Sequence, residues 1–465
     1  MGIDNFHKWL RASYPECYSK PYNIDHVYVD INFALHNAIY GTTCQKTLLI
    51  RLQHGLDNLL HNTHPNKSIT YATDGPAPFA KIILQRKRRL NTSRTSDLTD
   101  TKINPLYFTP GTVFMSNLSK NLDKYLEKVK ALYQIKINIL MSGPDEAELK
   151  IIRSLIKQST NKTDTHVIVS NDADIVVMAC ALHNIRNVYI MIKNPTIQFI
   201  SIDKLVDGIQ SKNNIKGISL FPGIDISMVS LFMGNDYLPK LNFIDFNKMY
   251  SSYFDTCKIF KQGLIADNYS FNKKFLLELF RTICVNLDQK WINRFKFTNF
   301  NKDLYKNYLE GLLWCIKSYA TGLCEKYDYM YNYKESPHPL GILYYLELVN
   351  NEITYPVPAS MPIPEKVYGI LVIPKKAKYL IDSKYYNIID TKLNFLFEEE
   401  ECKDCHEYHS ESSKLHKKLK LLDTLEEDTD EVKGELRIIS SKMIKHKKVH
   451  KKLTATDINK VLNYF

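Results

Sequence analysis

No apolar run in this sequence approaches the roughly 18 residues that a bilayer span requires, so a membrane-crossing chain is not expected. The opening stretch MGIDNFHKWL lacks the charged-then-apolar layout of a secretory signal. Phe6 stands where a myristoylation signal wants Ser or Thr, so neither export nor acyl anchoring is expected. The nine cysteines, an odd number, follow no regular spacing, which argues against a disulfide framework and for a reducing home, cytosolic or nuclear, of which the cytoplasm is expected. Internal repeats and long low-complexity blocks are also missing, so a repeat architecture is set aside. What the sequence has in surplus is positive charge, +12 in sum, which favours polyanionic partners such as nucleic acid or anionic lipid. Its 465 residues are enough for two or three lobes.

Up to about residue 245, short β-branched runs alternate with amphipathic helical patterns, the signature of an α/β fold with a mostly parallel central sheet flanked by helices. Strands are expected at His26 to Asp30, Ser68 to Asp74, Ile135 to Met141 and Thr165 to Ser170, each leading into a carboxylate. Residues 246–335 turn helical and aromatic and are expected to form a second lobe, with LYKNYLEGLLWCIKSYATGL as the clearest amphipathic segment. Residues 336–465 form the remainder. Prolines cluster between Ser336 and Pro374, where no long helix is expected; beyond Glu398 a charge-dense stretch runs to a lysine-rich end, IKHKKVHKKL, expected to be partly disordered.

Asp30, Asp74, Glu146, Glu148, Asp172, Asp174 and Asp236 fall at strand ends or in the first turns of following helices. In open α/β sheets the ligand site lies beyond the carboxyl ends of the strands, so acids placed there converge although far apart in sequence. Two carboxylates about 4 Å apart repel by roughly 4 kcal/mol at an effective dielectric of ~20, so such a cluster calls for cations or protons. Hard oxygen ligands without a neighbouring thiol select Mg²⁺ or Mn²⁺, and a pair of such ions can activate water and stabilise a leaving phosphodiester oxygen. Taken singly, each acid reads equally well as a helix cap, a first-turn charge favoured by the dipole, or a turn residue. Their joint order favours the metal reading.

After Asp74, the stretch GPAPFAKIILQRKRRL sets Lys81, Gln85, Arg88 and Arg89 on one helical face, a stripe suited to a terminal phosphate or, more blandly, to solvent. At this point the sequence resembles the Xrn family of 5′-to-3′ exoribonucleases. The motifs are MGIDNFHKWLRASYP, VYVDINFALHNAIYG with Asn32 and His36, TDGPAPFAK and QRKRR, FTPGTVFM, GPDEAELKI, SNDADIVVMA and FMGNDYLPKL, in family order over residues 1 to about 245. The resemblance implies a flap-nuclease-like catalytic core and metal ligation by the seven acids. It also implies a 5′-phosphate pocket at Lys81, Gln85, Arg88 and Arg89, with His36 packing on the terminal nucleotide. The implied activity is Mg²⁺- or Mn²⁺-dependent stepwise hydrolysis of 5′-monophosphorylated RNA to nucleoside 5′-monophosphates, probed against two rivals: a flap-type DNA nuclease and a silent nucleic-acid-binding protein. The length would suit a minimal version without the large accessory domains, of the kind a large DNA virus would carry.

Three features depart from the pattern or fall outside it. Phe79 and Leu149 replace a basic residue and a His of the family. The family's tryptophan-rich stretch is here EKYDYMYNYKESPHP, so Tyr327, Tyr329 or Tyr331 becomes the candidate for stacking on the 5′ base, or these are ordinary core aromatics. Finally, Cys402, Cys405, His406 and His409 offer four zinc-type ligands in eight residues, too tightly spaced to surround one ion, and the expectation is a solvated polar loop without zinc. The lysine run with Lys442, Lys445, Lys447, Lys448, Lys451 and Lys452 reads as a soluble basic helix that adds nonspecific RNA affinity at most.

Overall fold

The computed structural model describes residues 6–95, 103–193, 196–333, 335–349, 353–424, 428–446 and 453–465. The chain divides into two compact units, Met1–Lys81 with Asn117–Ile363 and Ile82–Ser116 with Pro364–Phe465. The boundaries expected at residues 245 and 335 do not coincide with this division.

The first unit is built on six strands: β1 (His26–Asp30), β2 (Ser68–Ala72), β3 (Lys136–Leu140), β4 (His166–Val169), β5 (Val188–Lys193) and β6 (Ile197–Ser201). They lie in the order β3-β2-β1-β4-β5-β6, all parallel except for the antiparallel β5–β6 pair. Every residue of β1, β2 and β4 is buried, as expected of interior parallel strands covered on both faces, whereas β3 is an edge strand with exposed positions. At the amino end of the sheet, buried polar groups satisfy one another. His26 Nδ1 lies 2.8 Å from Ser68 Oγ and its Nε2 3.1 Å from Asp164 Oδ2, while its ring stacks on His166 at 4.9 Å.

The four expected strands are present with ends within two residues of the prediction. The β5–β6 pair was not anticipated: VYIMIK and IQFIS are short apolar runs that periodicity does not separate from buried helix. From β1 the chain steps out to β2 and β3, then returns to β4 on the other side of β1. The switch in strand order thus falls between β1 and β4, and a crevice opens at their carboxyl ends.

The helices used below are α1 (Ile31–Ala38), α2 (Phe79–Thr95), α3 (Ala147–Gln158), α4 (Ala173–Cys180), α5 (Pro222–Leu231), α6 (Lys302–Thr321), α7 (Lys403–Thr424) and α8 (Asp430–His446). In the first unit, α6 buries Trp314, whose indole N–H donates to the Lys326 carbonyl at 3.0 Å, and joins Tyr28 and Ile168 of the sheet in one apolar cluster. The helical region 246–335 is therefore continuous with the core of the sheet by packing. The proline-rich segment carries two short helices, Pro339–Leu348 and Glu365–Val372, the first begun by proline at a position where a missing N–H costs nothing.

In the second unit, α7 and α8 run 22 and 17 residues through the charge-dense stretch, and of the lysine-rich end expected to be partly disordered, residues 447–452 lie outside the described residues. Lys, Glu and Leu are good helix formers, and Cys405, Val432 and Ile439 give the pair a buried side. Lys442 and Lys445 lie on α8, whereas Lys447, Lys448, Lys451 and Lys452 fall outside the described residues. Among the described residues, no helix is long and apolar enough to cross a membrane.

Within α5, Asp225 is fully buried and holds the 264–265 loop. It accepts hydrogen bonds from Leu264 N at 3.0 Å, Ile265 N at 2.8 Å and Tyr253 Oη at 3.0 Å. Asp225→Ala strands these donors and is expected to cost roughly 3 kcal/mol, read as a lower urea midpoint. Burial outweighs those bonds and raises the Asp225 carboxyl to about 6. The native state therefore favours the protonated acid: its contribution is complete below an unfolded-state value of about 3.9 and is lost as pH rises through about 6. Asp225→Asn should flatten the decline in urea midpoint between these values.

Candidate active site

The crevice at the carboxyl ends of the strands is acidic. Asp30 closes β1 and caps α1, accepting from Asn32 N at 2.8 Å and Phe33 N at 3.2 Å. The Asn32 carboxamide oxygen in turn accepts from Asp74 N at 3.0 Å, and Asp74 Oδ1 accepts from Ala147 N, the first residue of α3, at 3.0 Å. This junction depends on Gly75: its N–H reaches Asp145 O at 2.8 Å, and a Cβ there would sit 2.0 Å from Gly143 O. Only a residue without a side chain lets the two loops pass this closely.

Glu146 occupies the N-cap position of α3 and Glu148 its first turn; Asp74, Glu146 and Glu148 each present a carboxylate oxygen within 4.8 Å of the others. Asp172 caps α4, accepting from Asp174 N at 3.1 Å, and Asp174 lies in its first turn with Oδ1 buried and without a hydrogen-bond partner. Asp236 follows Gly234, which has φ +85, in a turn where Asn235 Oδ1 accepts from Tyr237 N and Leu238 N.

Electrostatics tie these seven acids into one group. Burial, then Asp74 and Asp172, push Asp30 up to about 8, against the pull of its two backbone N–H donors. Burial, Asp172 and Asp236 do the same to Asp174, also to about 8. Glu148 is held well above the carboxylate range by burial and by Asp30, Asp74 and Glu146. Glu146 is raised by burial, with Lys81 opposing. Lys81 joins the cluster as a cation: its ammonium pairs with Glu146 and lies 3.0 Å from Asp236 Oδ2. Burial would lower its pKa, but Glu146, Asp236 and Glu148 hold it well above the usual lysine value. The Tyr237 phenol, kept protonated by burial and by Glu146, donates to the other Glu146 oxygen. Several hard oxygens, an unpartnered buried one and raised proton affinities fit a divalent-cation site.

The sequence-predicted binding residues are placed differently from one another. Lys81 stands among the acids. Gln85, Arg88 and Arg89 continue α2 into the second unit, where Arg89 donates to Gln85 and, at 3.2 Å, to Thr109 Oγ1. His36 is exposed on α1, one turn beyond Asn32. Tyr327 and Tyr329 are core residues, the first donating to Asp145 Oδ1 at 2.5 Å and the second stacked on Trp314 at 4.9 Å, and Tyr331 packs edge-on against Tyr308. Burial of the first two takes their faces out of reach of a base. Phe79 and Leu149, the departures from the family pattern, are buried apolar side chains. Sequence reasoning missed Tyr237, adjacent to Asp236, and Lys150, one turn after Glu146, whose buried ammonium donates to the Thr73 carbonyl at 2.9 Å.

Residues 1–194 match the family model described as XRN 5′-3′ exonuclease N-terminus. The chain is 24% identical to 5′-3′ exoribonuclease 1 of Saccharomyces cerevisiae over 363 residues, covering 65% of this chain and 23% of the relative. It is 23% identical to 5′-3′ exoribonuclease 1 of Schizosaccharomyces pombe over 368 residues, covering 66% of this chain and 26% of the relative. It thus spans about a quarter of the length of these curated relatives. Among solved structures it is similar to the catalytic core of Rad2 in complex with DNA substrate, with 14% identity, TM-score 0.35, and 85% of this chain and 100% of that chain covered. Over residues 1–194, the chain is thus similar to the N-terminal region of XRN 5′-3′ exonucleases.

Proposed function

We propose that the protein is a divalent-metal-dependent 5′-to-3′ exoribonuclease acting on 5′-monophosphorylated RNA in the cytoplasm. The observation that carries this reading is the single electrostatic group formed by Asp30, Asp74, Glu146, Glu148, Asp172, Asp174 and Asp236 beyond the carboxyl ends of the sheet. Mg²⁺ or Mn²⁺, as two ions, would be held by these acids and would supply an activated water and charge neutralisation at the leaving oxygen.

The chain's own residues set the geometry. Asn32 and the close pass at Gly75 fix Asp74 against α3, and Tyr237 orients Glu146 through its phenolic proton. Lys81 pairs with Glu146 and Asp236, and with a divalent cation held by these acids its ammonium would be available to a substrate phosphate. Lys81, Gln85, Arg88 and Arg89 are assigned to the 5′-phosphate and His36 to the terminal nucleotide. A held terminal phosphate makes removal stepwise and directional.

The substrate reading is tested by offering 5′-monophosphate RNA, 5′-hydroxyl RNA and flap DNA with Mg²⁺. Rapid conversion of the first alone to nucleoside 5′-monophosphates, abolished by a chelator, is expected. Flap cleavage, or binding without cleavage, overturns the reading. Asp174→Asn and Glu148→Gln should each lower kcat by roughly two orders of magnitude or more, since metal ligands act as a unit, and Tyr237→Phe should cost about tenfold or less. Because Asp174 is buried among like charges, Asp174→Asn should raise the melting temperature measured in chelator; Mg²⁺ should raise that of the parent protein more than that of the variant.

A further inference from the structure

The second unit gathers metal-type ligands that the acidic centre does not use. Cys402 directly precedes α7, Cys405 is buried in its first turn, and His446 ends α8; one donor atom from each lies within 4.8 Å of the other two. The local run alone cannot surround an ion, which is why its spacing spoke against zinc. Of that run, His409 Nε2 faces the Arg94 guanidinium at 2.6 Å, so this nitrogen accepts a hydrogen bond, and the His406 side chain lies outside the described residues. The chain instead brings in a histidine from the far end of the next helix. His446 Nε2 lies 3.2 Å from Cys402 Sγ, and its Nδ1 lies 3.8 Å from Asp404 Oδ2. One ring nitrogen thus faces a thiol and the other a carboxylate, the arrangement that orients metal-bound imidazoles.

We propose that Cys402, Cys405 and His446 form a structural zinc site that clips together the α7–α8 hairpin at its open end. Two thiolates and an imidazole make a soft donor set that selects Zn²⁺, whereas the carboxylates of the first unit suit Mg²⁺ or Mn²⁺. Two thiolates cancel the charge of the ion and the neutral imidazole adds none, so the partly buried site carries no net charge. These three donors leave one position of a tetrahedral ion for a fourth ligand. The clip has a mechanical purpose. Among its described residues α8 buries only Val432 and Ile439, and a bond between residues 402 and 446 closes the loop formed by both helices, restricting the unfolded chain.

The test uses the full-length reduced protein, stripped of metal and titrated with Co²⁺. A thiolate-to-cobalt charge-transfer band, which carboxylates cannot produce, should saturate at about one equivalent and be displaced by Zn²⁺. Cys402→Ser and Cys405→Ser should each abolish the band or weaken Co²⁺ affinity at least about tenfold, and His446→Ala should do the same while keeping the helical circular dichroism. Should a variant fail to fold, alkylation of the parent protein decides: Zn²⁺ should slow iodoacetamide labelling of Cys402 and Cys405 while leaving exposed Cys44 unaffected. Absence of the band, a band unchanged in all three variants, or labelling of both cysteines at the same rate with and without Zn²⁺ overturns the proposal.

Discussion

Mutual repulsion among crowded carboxylates is the constraint on which the first unit turns. Seven acids gather at one edge of the sheet, Asp30 and Glu146 buried and the other five partly exposed, and folding has to bring them there against their own charge. The means are visible in the backbone: strand ends aim the loops at one crevice, Gly75 has no Cβ to clash with Gly143 O beside Asp74, and Asn32 links the loop after β2 to the helix after β1. Raised proton affinity at Asp30, Glu146, Glu148 and Asp174, together with the ammonium of Lys81, relieves the charge. A centre that holds protons and a lysine in this way is primed to exchange them for a harder cation.

The parts of this arrangement that could be read from the sequence are those fixed by short-range pattern. Each of β1, β2 and β4 is a β-branched run ending near an acid, and an α/β sheet sends such ends to one edge, so the convergence of Asp30, Asp74, Asp172 and their neighbours followed from order alone. What pattern could not supply was pairing across long separations. Tyr237 gave no signal until its phenol met Glu146, and Lys81 looked like one of three equivalent cations beside an amide until two acids closed on it. The tyrosines of the EKYDYMYNYK stretch posed a choice between core and surface that composition leaves open, and packing against Trp314 and Asp145 decided it for two of them.

The same limit explains the second unit. A dense run of Lys, Glu and His suggests a chain too charged to order, yet its Lys, Glu and Leu are helix formers, and a few apolar positions suffice to set two helices side by side. His446 was illegible as a partner of Cys402 because the residues between them form an entire hairpin, and no local motif spans that distance.

The caps of α1 and α4 have an evolutionary consequence. At the start of a helix, Asp30 accepts two backbone N–H groups and Asp172 accepts one. An amide in place of either acid would keep an acceptor for those groups while removing one of the crowded charges. A lineage under no pressure to keep these charges would therefore find their loss running downhill in folding energy, with the scaffold left standing.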